Sequence, residues 1–240
     1  MKRTITLLAI TLLSVSYSFA QWNKKIKGNG NVTTVTRTTS DYDGIKCAGS
    51  FDYVLVKGKE GKITLEGESN LLEYIVTEVK NNKLVVKVEN NVNLRTSSNK
   101  EIRITIPFED IDEVSMAGSG DLTSKDVITS NNLKVAMAGS GKVNLDVKAN
   151  TVKGSMAGSG NLTLSGSTNS LEADIAGSGD FNGFGLDANE TDVSVAGSGD
   201  AEVVSNKSLK ARVAGSGDIR YKGNPEKEDT KVAGSGKISN

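Results

Sequence analysis

Apolar and polar residues alternate along most of the chain, a pattern typical of β-strands that bury one face and expose the other. The alternation is clearest around a tetrapeptide, Ala-Gly-Ser-Gly, of which the sequence contains seven copies. The copies begin at Ala117, Ala138, Ala157, Ala176, Ala196, Ala214 and Ala233. Successive copies lie 21, 19, 19, 20, 18 and 19 residues apart, and an apolar residue precedes each of them. Each repeat therefore predicts short strands that meet at a recurring corner.

A repeat of this size is too small to fold alone. It offers about five inward side chains worth ~1.5–3 kcal/mol each, whereas ordering its backbone costs ~1–2 kcal/mol per residue. Stacking equivalent strands in parallel and in register gives the repeats a shared core. We therefore predict an all-β fold, a parallel β-helix or β-solenoid with coils of about 19 residues. A β-propeller has repeats of ~40 residues, and an antiparallel barrel would not require the same corner on every pass.

The two glycines of each copy have a direct physical explanation. A tight corner needs a positive φ angle or a close backbone approach, and glycine meets both needs at low cost. The motif accounts for 14 of the 26 glycines, so the glycine content is architectural. We assign as structural corners Gly118, Gly120, Gly139, Gly141, Gly158, Gly160, Gly177, Gly179, Gly197, Gly199, Gly215, Gly217, Gly234 and Gly236.

The first third of the chain alternates in the same way but has longer, less regular strands. Residues 21–40 predict a frayed polar lead-in that ends in an edge strand, residues 41–116 irregular first coils, and residues 117–240 the repeat coils. Residues 41–240 would then form one solenoid domain, and a separate small β domain before the repeat is the alternative. The segment Cys47-Ala48-Gly49-Ser50-Phe51 has the form of a degenerate first corner. The candidate elements here are strands Phe51–Lys57, Lys62–Glu66, Tyr74–Lys80, Lys83–Glu89 and Glu101–Pro107, and one helical turn at Asn70–Tyr74.

The first twenty residues have the layout of a secretory signal peptide. Lys2 and Arg3 precede an apolar run from Ile5 to Val15, and Ala20 ends a cleavage site of small residues. The run has about half of the ~20 residues that a membrane-spanning helix needs, which disfavours a membrane anchor. We predict a signal peptide over residues 1–20 and no transmembrane segment after its cleavage. The protein would be exported to the periplasm, the outer membrane or the cell surface.

Composition excludes several classes of function. The chain has 29 Lys and Arg, 29 Asp and Glu, and no His, so we expect no basic face for nucleic acid and no imidazole-based catalysis or metal binding. Its one cysteine, Cys47, cannot form an internal disulfide and predicts a buried, inert thiol. We therefore expect no cofactor and no catalytic residue.

Three columns of repeated side chains are candidates for chemistry. Asp180, Asp200 and Asp218 follow three successive motifs, and the strand spacing would place them ~5 Å apart. We expect no metal site, with this ladder as the candidate for calcium binding or acid-base catalysis, against a solvated corner whose carboxylates splay apart. The motif serines predict a hydrogen-bonded corner. The methionines that precede the first three motifs, Met116, Met137 and Met156, predict a stack in the core.

Several segments together resemble a known family. They are Asp43-Gly44-Ile45, Gly49-Ser50-Phe51-Asp52-Tyr53-Val54, Glu73-Tyr74-Ile75, Asn82-Lys83-Leu84 and Ile104-Thr105-Ile106-Pro107, followed by the Gly-Ser-Gly corners. In this order they resemble the putative auto-transporter adhesin head GIN domain family, over about residues 40–220. The resemblance implies an exported bacterial protein with an all-β, right-handed β-helix-like fold. It supplies no catalytic residues.

These observations predict an exported, non-enzymatic β-helical scaffold or binding module, adhesin-like and located at the cell envelope. Its partner would be an envelope or extracellular macromolecule, either polysaccharide or protein. The alternative is a β-helical enzyme that acts on polysaccharide through the aspartate ladder. Such an enzyme builds its cleft from long loops between coils, and repeat steps of 18 to 21 residues leave no room for them.

Overall fold

The computed structural model describes residues 24–240, so the predicted signal peptide lies outside the described residues. This part of the chain consists almost entirely of strands. They are β1 (Lys24–Lys27), β2 (Val32–Thr38), β3 (Gly44–Gly49), β4 (Asp52–Lys57), β5 (Lys62–Glu68), β6 (Ile75–Lys80), β7 (Lys83–Val88), β8 (Val92–Arg95), β9 (Arg103–Phe108), β10 (Glu113–Gly118), β11 (Asp121–Ser124), β12 (Ile128–Gly139), β13 (Lys142–Gly158), β14 (Asn161–Gly177), β15 (Asp180–Gly197), β16 (Ala201–Val204), β17 (Ser208–Gly215), β18 (Ile219–Lys222), β19 (Lys227–Gly234) and β20 (Ile238–Ser239). One helical turn, α1 (Ser69–Leu72), lies where a turn was predicted.

The repeats stack as a β-solenoid of about seven turns, which confirms the predicted fold. Strands β12, β13 and β14 pair in parallel, and the register places each motif on the next one. Met137 pairs with Met156, and Ala138 pairs with Ala157. Inward positions of successive coils are buried, while the residues between them are exposed or half-buried. The period of two in the sequence therefore separates the core from the outer surface.

The degenerate corner before the repeats is in register with them. Strand β3 pairs in parallel with β10, so that Cys47 pairs with Met116 and Gly49 with Gly118. Cys47 is buried, and burial holds the pKa of its thiol far above the usual range, which keeps it protonated. On its other side β3 pairs in parallel with β7, so the parallel stack continues into the first third of the chain.

Antiparallel pairs cover the end of the stack formed by the first third. Strand β6 pairs antiparallel with β7, and β5 pairs antiparallel with both β2 and β9. The lead-in is better ordered than the predicted frayed segment, because β1 pairs with β8 and β2 with β5 along its whole length. The reason is a buried carboxylate, Glu68, which accepts hydrogen bonds from the Gly30 and Ser97 backbone N–H groups.

A single hydrophobic core runs from Tyr42 to Tyr221, and the assignment of residues 41–240 to one domain stays a prediction. The last coil differs from the others because β19 is exposed along its whole length. Its inward positions carry Glu228 and Thr230, which pair with the core residues Leu209 and Ala211 of β17. The end of the core is therefore covered by polar residues, as in the terminal repeats of other solenoids. Among the described residues, no helix is long and apolar enough to cross a membrane.

Candidate binding surface

The strands that lead into the corners display two columns of mostly small side chains on their outer face. Met137 is buried, so its neighbours Ala136 and Ala138 point outward by strand alternation. One column holds the motif alanines, and the other holds the residue two positions earlier. The first column includes Ala48, Ala117, Ala138, Ala157, Ala176 and Ala196, and the second includes Lys46, Ser115, Ala136, Ser155, Asp174 and Ser194.

These two columns line a groove of about 720 Å³, which we call the alanine groove. It crosses the outer face of β7, β3, β10, β12, β13, β14 and β15 in that spatial order. Met116, Met137, Met156 and Ile175 also border the groove, although their side chains are buried in the core. The groove is therefore an open apolar channel parallel to the solenoid axis.

A third outward column, two residues further upstream, forms a charged rim beside the groove. Lys153 Nζ lies 2.6 Å from Glu172 Oε1, and Lys210 Nζ lies 2.6 Å from Asp192 Oδ2. These pairs link side chains of adjacent coils and cancel each other's charge. The hydrogen bond to Glu172 is also the main reason why the pKa of Lys153 lies above its usual value.

The end of the groove nearest the first coils carries two lysines. Lys46 belongs to the groove lining, and its Nζ lies 3.1 Å from Glu113 Oε1. Lys87 is half-buried on β7 and, within residues 24–240, forms no ion pair. Further along, Asp174 places a carboxylate in the same lining. The groove therefore has a cationic end and, on β14, an anionic side chain.

The aspartate ladder has a different environment at the corners. The Asp200 backbone N–H donates to Asp180 Oδ1 at 3.2 Å, and the Asp218 N–H donates to Asp200 Oδ1 at 2.8 Å. The Lys237 N–H completes the series by donating to Asp218 Oδ1 at 2.8 Å. The ladder thus supplies acceptors to the backbone of the next coil. Within the described residues, no group of three or more His, Cys, Asp or Glu could hold a metal ion.

Earlier corners satisfy the same backbone groups without a carboxylate. The Lys142 N–H donates to the Gly120 carbonyl oxygen at 3.1 Å, and the Asn161 N–H donates to the Gly141 carbonyl oxygen at 3.0 Å. Aspartate therefore replaces a glycine carbonyl as the acceptor in the last corners. This substitution explains why aspartate occupies this position in three successive later coils.

The motif serines and glycines bind successive corners together through the backbone. The N–H groups of Ser140 and Ser159 donate to the carbonyl oxygens of Gly118 and Gly139, at 3.0 and 2.9 Å. The first glycine of every motif has a positive φ, between 118° and 139°. Through these backbone hydrogen bonds, the motif serines hold each corner to the preceding one.

A second, polar groove of about 500 Å³ lies on another part of the outer surface. Its most regular feature is an asparagine ladder, Asn131, Asn150, Asn169 and Asn189. Asn189 Nδ2 donates to Asn169 Oδ1 at 3.1 Å, so part of the ladder is bonded within itself. This surface is a useful reference for the alanine groove, because it shares the coil repeat but presents polar side chains.

Sequence analysis did not identify the alanine groove. The signal was present, since each motif alanine follows a buried residue and must therefore face outward. The repeat itself predicts only a corner, because an alanine beside it is equally compatible with an exposed apolar surface and with a position that simply needs a small side chain. The lysines at its end depend on the pairing of β3 with β7, which the repeat does not encode.

Comparisons with solved structures support the fold. A putative adhesin from Bacteroides fragilis NCTC 9343 superposes with a TM-score of 0.83 at 23% identity, covering 90% of this chain and 99% of that one. A putative lipid binding protein from Parabacteroides distasonis ATCC 8503 gives a TM-score of 0.74 at 27% identity, with coverage of 90% and 99%. A putative adhesin from the same strain gives 0.72 at 23% identity, again covering 90% and 99%. No curated protein matches the chain significantly.

The family resemblance seen in the sequence is confirmed by a family model. The model described as "putative auto-transporter adhesin, head GIN domain" matches residues 41–225. The match begins close to β3 and extends past β18, so it covers both the irregular first coils and most of the repeat. The chain therefore belongs to the putative auto-transporter adhesin head GIN domain family.

Proposed function

We propose that the protein is an exported, non-enzymatic binding module of the cell envelope, and that the alanine groove is its binding surface. The observation that carries the proposal is the groove itself, an apolar channel left open across seven strands of the outer face. Concave apolar surfaces with a few polar groups are typical of binding sites.

The other repeated columns support this assignment by contrast. The aspartates accept backbone hydrogen bonds, and the motif serines donate theirs to the previous corner. Neither column combines a nucleophile with a general base, which an enzyme would need. The adhesin-like role and the location at the envelope follow the family to which the chain belongs and the predicted signal peptide.

Lipid binding is a second candidate for the same surface. It is favoured by the apolar lining of the alanine groove, which suits hydrocarbon better than a hydrated polymer. The protein from Parabacteroides distasonis, whose fold is similar, is named a putative lipid binding protein. The two roles are compatible, because a module that binds lipid could attach to a membrane or to a lipid-bearing partner.

The groove can be tested by placing a charge in its centre. Ala138→Glu and Ala157→Glu introduce carboxylates at exposed positions, so the fold should be retained. Asn150→Glu adds the same charge to the asparagine ladder and serves as the matched control. Fluorescently labelled mature protein would be incubated with isolated outer membranes and with epithelial cells. We expect both alanine variants to lose binding and the control to retain it.

Equal binding by all three variants would exclude the alanine groove as the binding surface. Circular dichroism melting curves would show that each variant is folded. Incubation with a polysaccharide panel, with detection of new reducing or unsaturated ends, would test the enzymatic alternative. Cleavage of any polysaccharide would contradict the non-enzymatic proposal.

A further inference from the structure

The ligand of the alanine groove can be specified further from its shape and charge. We infer that the groove holds a single extended fatty-acid chain, with the carboxylate at Lys46 and Lys87 and the hydrocarbon along the column of motif alanines. This inference rests on the proposed function, because it names the ligand of the same groove. It is carried by the length, width, lining and charge distribution of the groove.

The dimensions of the groove fit one hydrocarbon chain. From β7 to β15 it crosses six interstrand steps, or ~29 Å at ~4.8 Å per step. Its two columns are two residues apart along each strand, a width of ~7 Å. The volume of about 720 Å³ lies within the range of ~300–1,000 Å³ for small-molecule sites. A channel this long and narrow accommodates an extended acyl chain but not two chains side by side.

The lining disfavours the other occupants. A polysaccharide would press many of its hydroxyl groups against the column of motif alanines, whose side chains offer no hydrogen-bond partners, and only the polar residues of the second column would satisfy the rest. A peptide strand binds to the edge of a sheet, where backbone groups are free, whereas this groove lies on a sheet face. A second copy of the protein would bury only ~200 Å² of the two columns, far below the ~800 Å² per partner of stable interfaces. A hydrocarbon chain makes none of these demands.

The charges give the ligand a direction. Lys87 forms no ion pair within the described residues, and Lys46 shares Glu113 with Lys83, each lysine lying 3.1 Å from that carboxylate. The negative charge of the lining belongs to Asp174, four interstrand steps or ~19 Å from Lys46. The Asp174 carboxylate lies 4.0 Å from Lys153 Nζ. An anionic headgroup is therefore attracted to the lysine end and repelled from the aspartate.

The test uses three probes that share one hydrocarbon chain: palmitate, its methyl ester, and the corresponding trimethylammonium amphiphile. Each would be titrated below its micelle concentration against protein that carries a displaceable fluorescent fatty acid. We expect palmitate to displace the reporter best and the cationic amphiphile worst. Lys87→Gln and Lys46→Gln should each weaken palmitate binding about threefold to fivefold and leave methyl ester binding unchanged.

Two further variants separate the chain from the headgroup. Ala138→Glu should abolish binding of palmitate and of the methyl ester, because it blocks the hydrocarbon path. Asp174→Asn should strengthen or preserve palmitate binding, since it removes a like charge. Asn150→Glu, on the polar groove, should change nothing. Equal loss of palmitate and ester in the lysine variants would overturn the assignment of the headgroup to this end.

The inference and the proposed function can fail separately. If wild-type protein binds none of the three amphiphiles, yet Ala138→Glu still abolishes binding to membranes or cells, the fatty-acid assignment is wrong and the alanine groove remains the binding surface. If Ala138→Glu leaves all binding intact, both are wrong. If the amphiphiles bind equally well to Ala138→Glu and to wild type, the fatty acid occupies another site and the inference is overturned.

Discussion

The same side chain occupies very different environments in successive coils. Val213 and Val232 both precede a motif alanine and pair with each other across β17 and β19. Val213 is 3% exposed, whereas Val232 in the last coil is 41% exposed. At the residue scale, the energetic role of a repeat position therefore depends on whether another coil covers it.

This pair provides an internal control for the stacking register. Val213→Asp buries an unpaired carboxylate and should lower the free energy of unfolding by about 3–5 kcal/mol. Val232→Asp makes the same change where the side chain reaches water, so its effect should be below about 1 kcal/mol. Urea denaturation of both variants measures the difference. Similar midpoints for the two variants would show that the two valines are not in the register described.

The second glycine of the motif is constrained by the coil beneath it. A Cβ atom at Gly217 would lie 1.9 Å from the carbonyl oxygen of Gly199, which is backbone and cannot move aside. At Gly215 the constraint is doubled, since φ is 139° and a Cβ atom would lie 2.1 Å from the Gly197 oxygen. Both positions therefore require glycine for the close approach of successive corners.

We expect Gly215→Val and Gly217→Val to lower the melting temperature strongly or to prevent folding. Gly58→Val is the control, because a Cβ atom there meets nothing closer than Pro107 Cβ at 4.0 Å. Thermal melts followed by far-ultraviolet circular dichroism would compare the three variants. Unchanged melting of both motif variants would mean that the corners tolerate side chains.

At the scale of the element, the corner uses aspartate as a substitute for a backbone acceptor. Asp200→Ala removes the acceptor for the Asp218 N–H and should cost about 0.5–1.5 kcal/mol. Asp121→Ala is the matched control: it lies at the equivalent position of the first motif, where the next coil's Lys142 N–H donates to Gly120 instead. Chemical denaturation should show a loss for Asp200→Ala and little change for Asp121→Ala.

The same bonds bear on the calcium interpretation of the ladder. Because each carboxylate is engaged by a backbone N–H, we expect the melting temperature to be the same in millimolar calcium and in chelator. A ligand that binds only the folded state would raise it by mass action. A calcium-dependent rise that Asp200→Asn abolishes would instead identify the ladder as a cation site.

The lead-in is held to the first coils by Glu68. Its carboxylate accepts hydrogen bonds from the Ser97 hydroxyl at 2.6 Å and from the Ser97 N–H at 2.8 Å. The hydroxyl bond is the main reason why the pKa of Glu68 lies below its usual value. A lowered carboxyl pKa contributes stability above the unfolded pKa of ~4.3, and this contribution is lost as pH falls through the folded value.

We therefore expect wild-type stability to decrease from about pH 5 to about pH 3, and Glu68→Gln to show a weaker decrease from a lower starting point. Glu66→Gln, an exposed carboxylate on the same strand, should keep the wild-type profile. The measurement is the melting temperature as a function of pH. Glu60 has the opposite effect on the pH dependence of stability. Burial raises the pKa of its carboxyl, so the stability that the protonated form contributes is lost as pH rises.

The elements that could be predicted from sequence are those fixed by the repeat. The register of β12 to β14 follows from the spacing of the motifs, and so does the inward position of Met137. The antiparallel pairing of β2 with β5 could not be predicted, because alternation does not specify the partner of a strand. The order of the lead-in was missed for a similar reason, since Glu68 contacts residues about 30 to 40 positions away.

At the scale of the whole molecule, the alanine groove emerges only when the coils are stacked. One motif alanine is an ordinary small side chain, whereas six in a column form an apolar channel. Its cationic end comes from the irregular first coils, through Lys46 on β3 and Lys87 on β7. The two parts of the chain thus contribute different chemistry to one surface.

The last coil of the described residues leaves one edge of the stack uncovered. Strand β19 pairs with β17, and no strand of residues 24–240 pairs with its other edge. An exposed edge above an apolar core is a template for association with another copy. The inward residues Glu228 and Thr230 counter this, since they place polar groups where the preceding coil has Leu209 and Ala211. Glu228 also accepts a hydrogen bond from the Tyr221 hydroxyl at 3.0 Å.

Replacing these polar residues should convert the end into an interface. We expect the double variant Glu228→Leu, Thr230→Val to remain folded but to self-associate as its concentration rises, because it exposes a continuous apolar end. Lys227→Leu with Lys231→Val adds comparable hydrophobic area at outward positions of the same strand and should associate less. Sedimentation velocity over a hundredfold range of concentration would measure the association. A double variant that stays monomeric throughout would show that the polar residues do not act as a cap, and that the edge is protected by the charges of β19 alone.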